Sequence, residues 1–203
     1  MSLFEHDRAL RKAEGIDLLC GVDEAGRGPL AGPVFAAAVI LPLDLVIEGL
    51  DDSKKLSEKK RERLFDQIKE GALAWAIAQA SVEEIESINI LQAALLSMNR
   101  AVKDLGITPN LTLVDGNKLP KSDLPMRALI GGDKTSACIA AASILAKVAR
   151  DRHMIELAEQ YPVYHFARHK GYGTKLHYET LEAHGPCPAH RMSFLKSLRE
   201  GKR

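Results

Sequence analysis

The sequence predicts an α/β protein in which helices flank a mixed five-stranded sheet and a helical segment follows at the C-terminus. Two observations lead to this prediction. Short apolar segments bounded by glycine and proline alternate with longer segments whose apolar residues recur every three or four positions, the pattern of strands and amphipathic helices. The first two strands follow one another directly, whereas helices precede the third and the fourth strands, so an antiparallel start with parallel additions is expected.

The five predicted strands are short and mostly apolar. Residues 18–22 and 34–41 are joined by a glycine- and proline-rich connection and are expected to pair as a hairpin. Residues 73–79 alternate larger side chains with alanine, which predicts a third strand with one larger-residue face. Residues 111–114 are the fourth predicted strand, and residues 126–130 are predicted as strand or loop.

The predicted helices are recognised by their caps and by their apolar periodicity. Ser57 is expected to cap a helix that stops at Gly71, and Ser81 with Glu84 has the spacing of a capping box that opens a further helical region. Helices are predicted over residues 57–70, 91–105, 136–159 and 175–183. The third of these is rich in alanine, whose small side chain favours close packing against a sheet.

Length and composition favour one domain. The 203 residues, 46% hydrophobic and 27% charged, suffice for one substantial core, so a single domain over 1–203 is expected, with a core over about 1–160 and a C-terminal helical subregion over about 161–203. No segment is apolar for long enough to span a membrane, and the charged start is unlike a signal peptide, which predicts a cytoplasmic protein. Three cysteines without paired spacing are predicted to be free thiols: Cys20, Cys138 and Cys187.

Four acidic residues lie at or just beyond the ends of predicted strands: Asp23, Glu24, Asp115 and Asp133. Ligand sites of α/β sheets gather at strand ends, and converging carboxylates repel one another unless a hard cation offsets their charge. Magnesium or manganese is predicted because both prefer oxygen ligands, and no Cys/His cluster indicates zinc. Taken singly, each acid is better explained as a turn or cap residue; the four together favour a metal site.

The predicted metal site indicates phosphodiester hydrolysis without an organic cofactor, since two such ions can activate water and stabilise the leaving oxygen. Asp23 and Glu24 are adjacent, and successive side chains of a strand point to opposite faces. We therefore expect the strand to end or bulge there, or Glu24 to contribute through its main-chain carbonyl. The net charge of +1 becomes clearly positive once the four acids are set aside, which suits a polyanionic substrate.

A Gly-Arg-Gly segment, Gly26 to Gly28, begins three residues after Asp23. Glycines let a backbone approach a ligand closely, and exposed peptide groups can bond the 2′-hydroxyl that distinguishes RNA from DNA. On its own the segment would be read as a tight turn. Its position beside the predicted metal site favours a ribose-binding role.

Basic residues recur near small or aromatic ones: Lys54 and Lys55 before the Ser57 cap, Lys147 and Arg150 one helical turn apart, and residues 168–170 before Gly171-Tyr172-Gly173. This mixture suits a phosphate backbone, although each basic pair taken alone is more often a solvated surface. Tyr172, between two glycines, is expected to expose its ring for stacking on a base or sugar.

The ordered motifs of this chain closely resemble those of the bacterial ribonuclease HII family. They are GVDEAGRGPLAGP at 21–33, DSKKLS at 52–57, DGN at 115–117, GDK at 132–134, ASILAKV at 142–148 with RD at 150–151, and HKGYGT at 169–174. The resemblance runs from about Cys20 to Phe194 in unbroken order. It implies a ribonuclease H-like fold with a C-terminal helical extension.

The resemblance also implies an activity. It implies a ribonuclease H that cuts the RNA strand of RNA–DNA hybrids and cuts at single ribonucleotides in duplex DNA, leaving a 5′-phosphate and a 3′-hydroxyl. The implied catalytic and metal-binding set is Asp23, Glu24, Asp115 and Asp133, with Mn²⁺ or Mg²⁺ as cofactor. The implied partners are the nucleic acids themselves, and a monomer is expected.

Substrate-binding roles follow from the same resemblance. Gly26, Arg27 and Gly28 would read the ribose 2′-hydroxyl, and Tyr172 would pack on the sugar of the following deoxynucleotide. The candidates for phosphate contact are Lys54, Lys55, Ser143, Lys147, Lys170 and Thr174. The tail residues His190, Arg191, Ser193 and Phe194 match a family motif for which a packing role is expected.

Other functions remain open at this point. A different metal-dependent nuclease or recombinase of the same fold would use similar acids and would act on all-DNA duplexes. A non-catalytic nucleic-acid-binding module would bind hybrids independently of magnesium and would show no turnover. A small-molecule hydrolase would need a deep apolar pocket, which the sequence neither indicates nor excludes.

Overall fold

The computed structural model describes residues 2–195, which form six α-helices and five strands. The elements in order are α1 (Leu3–Glu14), β1 (Leu19–Ala25), β2 (Val34–Ile40), α2 (Glu58–Gly71), β3 (Ala74–Ala80), α3 (Val82–Lys103), β4 (Leu111–Asp115), β5 (Met126–Leu129), α4 (Ala137–Gln160), α5 (Phe166–His169) and α6 (Lys175–His184). The α/β class and the five strands are as predicted, and the second predicted strand ends one residue earlier, at Ile40.

The sheet is mixed, with strand order β3-β2-β1-β4-β5. Strand β2 pairs antiparallel with both β1 and β3, whereas β4 is parallel to β1 and β5 is parallel to β4. The antiparallel start and the parallel additions are therefore confirmed. Because β1, β4 and β5 run the same way, their carboxyl ends lie at one edge of the sheet.

Helices cover both faces of the sheet. Helix α4 packs on β1 and β2, and α3 packs on β2 and β3 from the opposite side. The contact with α4 is very close at Gly21 of β1, where an added Cβ would lie 2.2 Å from the carbonyl carbon of Cys138. Only glycine lets the helix backbone come this near, so α4 is held directly against the strand that carries Asp23.

The predicted helix caps are confirmed. Ser57 and Ser81 are the N-caps of α2 and α3, and Ser81 forms the expected capping box with Glu84. Ser136, predicted only as the start of a helix, is the N-cap of α4. Helix α3 is kinked at Asn89, whose φ is +67° and whose side chain accepts hydrogen bonds from the two N–H groups that begin the second half. The kink explains why the sequence pattern indicated two helical pieces here.

The N-terminal helix α1 was not among the predicted elements. Its signals are local: Ser2 and Glu5 form a capping box, and Gly15 ends the helix in the left-handed conformation. Its two buried residues are charged, Asp7 and Arg11, whereas its apolar residues Leu3, Phe4 and Leu10 pack against the core only partly buried. The Asp7 carboxylate accepts a hydrogen bond from Cys138 N, 2.9 Å away, which ties α1 to the first turn of α4.

The segment after α4 packs around aromatic rings. Tyr164 and Phe166 are buried against Met154 and Leu157 of α4, and the chain then returns to make one bridge between His190 and Ala31. Residues 196–203 of the predicted C-terminal subregion lie outside the described residues. None of the helices in residues 2–195 is long and apolar enough to cross a membrane, and the three cysteines are free thiols as predicted.

Candidate nucleic-acid cleavage site

The four predicted acids lie at the carboxyl edge of the parallel strands. Asp23 and Glu24 are in the last part of β1, Asp115 is the last residue of β4, and Asp133 lies four residues beyond β5. The register pairs Val22 with Val114, which places Asp23 and Asp115 next to one another along neighbouring strands. Asp115 is held by Gly132, whose N–H donates to its Oδ1 at 2.7 Å.

The expectation that β1 ends or bulges at Asp23 and Glu24 was wrong, and the alternative, that Glu24 contributes partly through its main-chain carbonyl, stays a prediction. The strand continues to Ala25, and its antiparallel register with β2 runs without interruption through Asp23, Glu24 and Ala25. What stops instead is the parallel pairing with β4, whose last pair is Val22 with Val114. The Asp23 carboxylate is buried and its Oδ1 accepts from Glu24 N at 2.7 Å, while the Glu24 side chain turns toward Arg27, 3.2 Å away.

Burial and mutual repulsion disfavour the charged form of these acids. Burial raises the pKa of Asp23 well above its usual range, and the charges of Glu24 and Asp115 raise it further. Burial also raises the pKa of Glu24, against the opposing effect of Arg27, and burial followed by the charge of Asp115 raises the pKa of Asp133. The edge of the sheet thus concentrates negative charge in a partly desolvated place.

The donor set fits a hard divalent cation. Within residues 2–195, no three Asp, Glu, His or Cys side chains already form a tight ligand cluster. Two of the acids are paired with cations of the chain, Glu24 with Arg27 and Asp133 with Lys54. The site nevertheless offers oxygen donors from neighbouring strands whose repulsion a divalent cation would offset, which is the chemistry that magnesium and manganese prefer.

Lys54 and Lys55 lie on a short 3₁₀ turn, Ser53–Lys55, beside the acids. The Lys54 ammonium lies 3.9 Å from Asp133, with its side chain largely exposed, whereas Lys55 pairs with Asp51 at 3.1 Å. Partial burial acts to lower the pKa of Lys54, but attraction by Asp23, Asp133 and other nearby acids outweighs it and raises that pKa. Of these two lysines, Lys54 is therefore the one that faces the acid cluster directly.

The Gly-Arg-Gly segment begins one residue beyond β1. Gly26 has a φ of +99°, and an added Cβ would lie 2.0 Å from Nε of Arg150, so only glycine fits there. Gly28 is exposed, and its Cβ position lies 3.9 Å from Cε1 of Tyr172. The exposed ring of Tyr172 was predicted, and it lies beside the segment predicted to contact ribose.

The Tyr172 segment and the loop after β1 are joined by the main chain. Leu30 N donates to Gly171 O at 2.8 Å, and a Cβ on Gly171 would lie 2.7 Å from Ala31 O. The Tyr172 ring is 44% exposed, and the side chains of Lys147 and Arg150 approach it at 6.0 and 5.9 Å from its centroid. The predicted ribose and sugar contacts thus form one continuous surface next to Glu24.

The remaining candidates for phosphate contact differ in exposure. Ser143 is buried, its hydroxyl lies 2.9 Å from that of Ser53, and it hydrogen-bonds Asp23. Lys147 bonds Asp151 at 2.7 Å. Lys170 donates to the carbonyl of Ala167, and Thr174 is exposed and caps α6 through His177 N. Ser143 is therefore placed to orient an acid, and Thr174 lies at the surface.

Two arginines, Arg150 and Arg191, are buried and donate hydrogen bonds to main-chain carbonyls, which the sequence did not predict. Arg150 was expected to face a phosphate backbone, but it is fully buried and donates to the carbonyls of Ala31, Pro33 and Lys170. Arg191, expected to pack, is also fully buried, and all five of its acceptors are carbonyls of the loop at 26–33.

Asp52, a further buried acid near the site, contributes to the raised pKa of Asp133, after burial and the charge of Asp115. The DSKKLS motif at 52–57 was the sequence signal that could have identified Asp52 as a site residue. No local sequence pattern identifies the carbonyl contacts of Arg150 and Arg191.

Known proteins resemble this chain over most of its length. The family described as Ribonuclease HII matches residues 20–197. Ribonuclease HII of Idiomarina loihiensis is 61% identical over 177 residues, which cover 87% of this chain and 95% of that protein. Ribonuclease HII of Caldicellulosiruptor bescii is 53% identical over 185 residues, 91% of this chain and 90% of that protein.

A solved structure supports the same relationship. Ribonuclease H2 from Pyrococcus horikoshii OT3 superposes with a TM-score of 0.74 at 25% identity, over 90% of this chain and 96% of that one. The motifs quoted above lie within the matched residues, and the carboxyl edge of the sheet carries the acids. Ribonucleases H depend on divalent metal ions, which agrees with the donor set at that edge. The chain therefore belongs to the ribonuclease HII family of RNA–DNA hybrid endonucleases.

Proposed function

We propose that this enzyme cuts both within the RNA strand of hybrids and at single ribonucleotides embedded in duplex DNA, leaving a 5′-phosphate and a 3′-hydroxyl. One observation carries the proposal: the Gly26–Gly28 segment is joined to the acid cluster through the 3.2 Å pair of Arg27 and Glu24. A ribose bound at this segment would lie beside the acids. A single 2′-hydroxyl would then suffice to select the cleavage position.

We propose that Asp23, Glu24, Asp115 and Asp133 are the catalytic carboxylates and would hold two divalent cations, magnesium or manganese. When bound, such ions supply Lewis acidity and lower the pKa of water. The protein's part is to hold the oxygens in place: Gly132 N fixes Asp115, and Glu24 N fixes Asp23. The Ser143 hydroxyl also bonds Asp23, which favours the charged form that a cation needs.

The neighbouring residues would bind the substrate. Gly26, Arg27 and Gly28 would contact the ribose through the main chain, and the Tyr172 ring would pack on the next sugar. Phosphates would be contacted by groups at the surface around the site, and the candidates stay Lys54, Lys55, Lys147, Lys170 and Thr174. Ser143, the sixth predicted candidate, is buried and would orient Asp23 instead. We further propose one domain over 1–203, acting as a monomer, in which the region after about residue 160 completes the substrate surface.

A gel assay on three labelled duplexes tests the proposal: all-DNA, one embedded ribonucleotide, and a long hybrid, each without metal, with Mg²⁺ and with Mn²⁺. We expect metal-dependent cleavage of the second and third duplexes and none of the first. Cleavage of the hybrid alone would refute the single-ribonucleotide activity. Cleavage of the all-DNA duplex would indicate a different nuclease of this fold, and end-labelling of the products would check the 5′-phosphate.

A further inference from the structure

The loop that contains Gly26, Arg27 and Gly28 wraps around a buried guanidinium from the C-terminal tail. Arg191 Nε donates to Gly32 O at 2.9 Å, and its two terminal nitrogens donate to the carbonyls of Gly26, Arg27, Pro29 and Pro33 at 2.7 to 3.2 Å. Arg191 is fully buried. Five carbonyl oxygens of one eight-residue loop thus point inward to a single side chain.

The direction of these carbonyls determines the direction of the N–H groups. In a trans peptide the C=O of one residue and the N–H of the next point in opposite directions, and residues 2–195 contain no cis peptide. With the carbonyls of Gly26 and Arg27 turned inward, the N–H groups of Arg27 and Gly28 turn outward. In the described part of the chain these two N–H groups donate to no protein acceptor, and both residues are exposed.

We propose that Arg191 is a positioning residue that presents the main-chain N–H groups of Arg27 and Gly28 to the ribose 2′-hydroxyl. The inference rests on the proposed function, in which this loop contacts the ribose. A main-chain N–H can donate to the 2′-hydroxyl oxygen of a ribose, whereas a deoxyribose offers it no acceptor at that position. Discrimination between ribose and deoxyribose therefore depends on the orientation of these peptide planes. Arg191 would then determine the selectivity for ribose over deoxyribose, although its side chain stays buried beneath the loop.

A guanidinium suits this task better than an ammonium. Its planar fork presents five donors in fixed directions, whereas a lysine ammonium has three donors on a flexible stem. The other buried guanidinium under the loop, Arg150, also has only carbonyl acceptors in the described residues, and one of them belongs to Lys170. Arg191 differs because its acceptors include the carbonyls of Gly26 and Arg27.

The test measures sugar discrimination, which a merely structural role would leave unchanged. Fluorescence anisotropy in Ca²⁺ would give Kd for a DNA duplex with one ribonucleotide and for the matched all-DNA duplex. For Arg191→Lys we expect the ratio of the two Kd values to fall by about tenfold, through weaker binding of the ribonucleotide duplex. The matched control is Arg11→Lys, because Arg11 is also buried and donates to a carbonyl, that of Leu41, which follows the end of β2 opposite to the loop.

The outcomes separate this inference from the proposed function. If the wild-type protein does not discriminate, the ribose-reading function itself fails. If the wild type discriminates and Arg191→Lys keeps the full ratio, or Arg11→Lys loses it equally, the positioning role fails. Should Arg191→Lys not fold, Glu86→Ala provides a milder variant: it removes the bonds that Glu86 accepts from Ser193 N and Ser193 Oγ, which anchor the tail two residues beyond Arg191. A reduced ratio there supports the role, and an unchanged ratio overturns it.

Discussion

The Nε2 atoms of His177 and His190 lie 3.0 Å apart in a buried contact, so one carries a proton and the other does not. The neighbouring bonds assign the proton. His177 Nδ1 lies 2.9 Å from the carbonyl of Tyr172 and must donate to it, which leaves its Nε2 as acceptor for His190. His190 Nδ1 in turn accepts from Cys187 N at 3.0 Å. With this assignment both rings are neutral, which agrees with the lowered pKa of each, and the chain of bonds ends at the backbone of Tyr172.

Acid should destabilise this protein through these histidines. Burial lowers the pKa of His169 and of His190 to about 4, and it also lowers the pKa of His177. The unfolded chain takes up these protons near pH 6.5, before the folded state does. The free energy of unfolding should therefore be unaffected by them above pH 6.5 and fall as the pH drops from 6.5 toward 4, by about 1–3 kcal/mol each for His169 and His190.

Urea unfolding at a series of pH values measures this loss. His190→Gln removes one of the buried rings and should flatten the pH dependence between 6.5 and 4, whereas His184→Gln, at an exposed position at the end of α6, should leave it unchanged. A flat profile in the wild type would contradict the neutral assignment.

Gly26→Ala should disable the site through overlap rather than backbone strain alone. The new Cβ would lie 2.0 Å from Nε of Arg150 at a φ of +99°. Gly106 also has a positive φ, +71°, but nothing lies within 4 Å of its Cβ position. We expect Gly106→Ala to cost about 1 kcal/mol of stability and to keep activity, and Gly26→Ala to cost about 2–4 kcal/mol and to slow cleavage by about 100-fold or more. Equal losses in thermal unfolding and cleavage assays would refute the overlap.

Much of the fold could be predicted because its signals are local. Ser57 and Ser81 cap helices at the predicted positions, and the strand predicted to end on Asp115 does so. Short continuous apolar runs located β1 and β2, and the short connection between them favoured their antiparallel pairing. The acids could be placed at one edge because parallel strands bring their carboxyl ends together.

Features that depend on distant partners could not be predicted. The sequence neighbours of Arg150 are like those of a basic residue on the surface of α4. Its burial depends on the loop before β2, whose carbonyls it contacts and which lies more than a hundred positions earlier in the chain. The contacts of Arg191 span about 160 positions. Helix α1 was missed for a different reason, since its Ser2–Glu5 capping box was readable but charged residues occupy its buried face.

Asp23→Asn should stabilise the metal-free protein while abolishing activity. The buried carboxylate is repelled by Glu24 and Asp115, and an amide removes that repulsion while its Oδ1 still accepts from Glu24 N. In EDTA at neutral pH we expect a gain of about 1 kcal/mol in the free energy of unfolding, and in Mg²⁺ a loss of at least about 1000-fold in cleavage rate. Asp66→Asn, at an exposed position of α2, should change neither. Near-normal cleavage by Asp23→Asn would refute its catalytic assignment.

Removal of the Tyr172 ring should affect substrates unequally. The ring is 44% exposed beside Gly28, and its proposed contact is with the deoxyribose that follows a ribonucleotide. Tyr172→Ala should reduce kcat/KM on a single-ribonucleotide duplex by about tenfold or more, with a smaller loss on a long hybrid. Tyr172→Phe keeps the ring and should stay near the wild type on both substrates. Equal losses of Tyr172→Ala on every duplex would argue against recognition of the junction.

Lys54 and Lys55 should differ in their effect on the metal requirement. The Lys54 ammonium lies 3.9 Å from Asp133 and is attracted by Asp23, whereas Lys55 pairs with Asp51 outside the cluster. Replacing Lys54 by Gln removes a positive charge that competes with a cation, so the Mg²⁺ concentration for half-maximal cleavage should fall by about two- to fivefold, the range of an exposed ion pair. Lys55→Gln is the matched control, and a Mg²⁺ titration at saturating substrate compares the two. An equal shift in both variants would show that the effect is one of general surface charge, and no shift in Lys54→Gln would show that its ammonium does not compete with the metal.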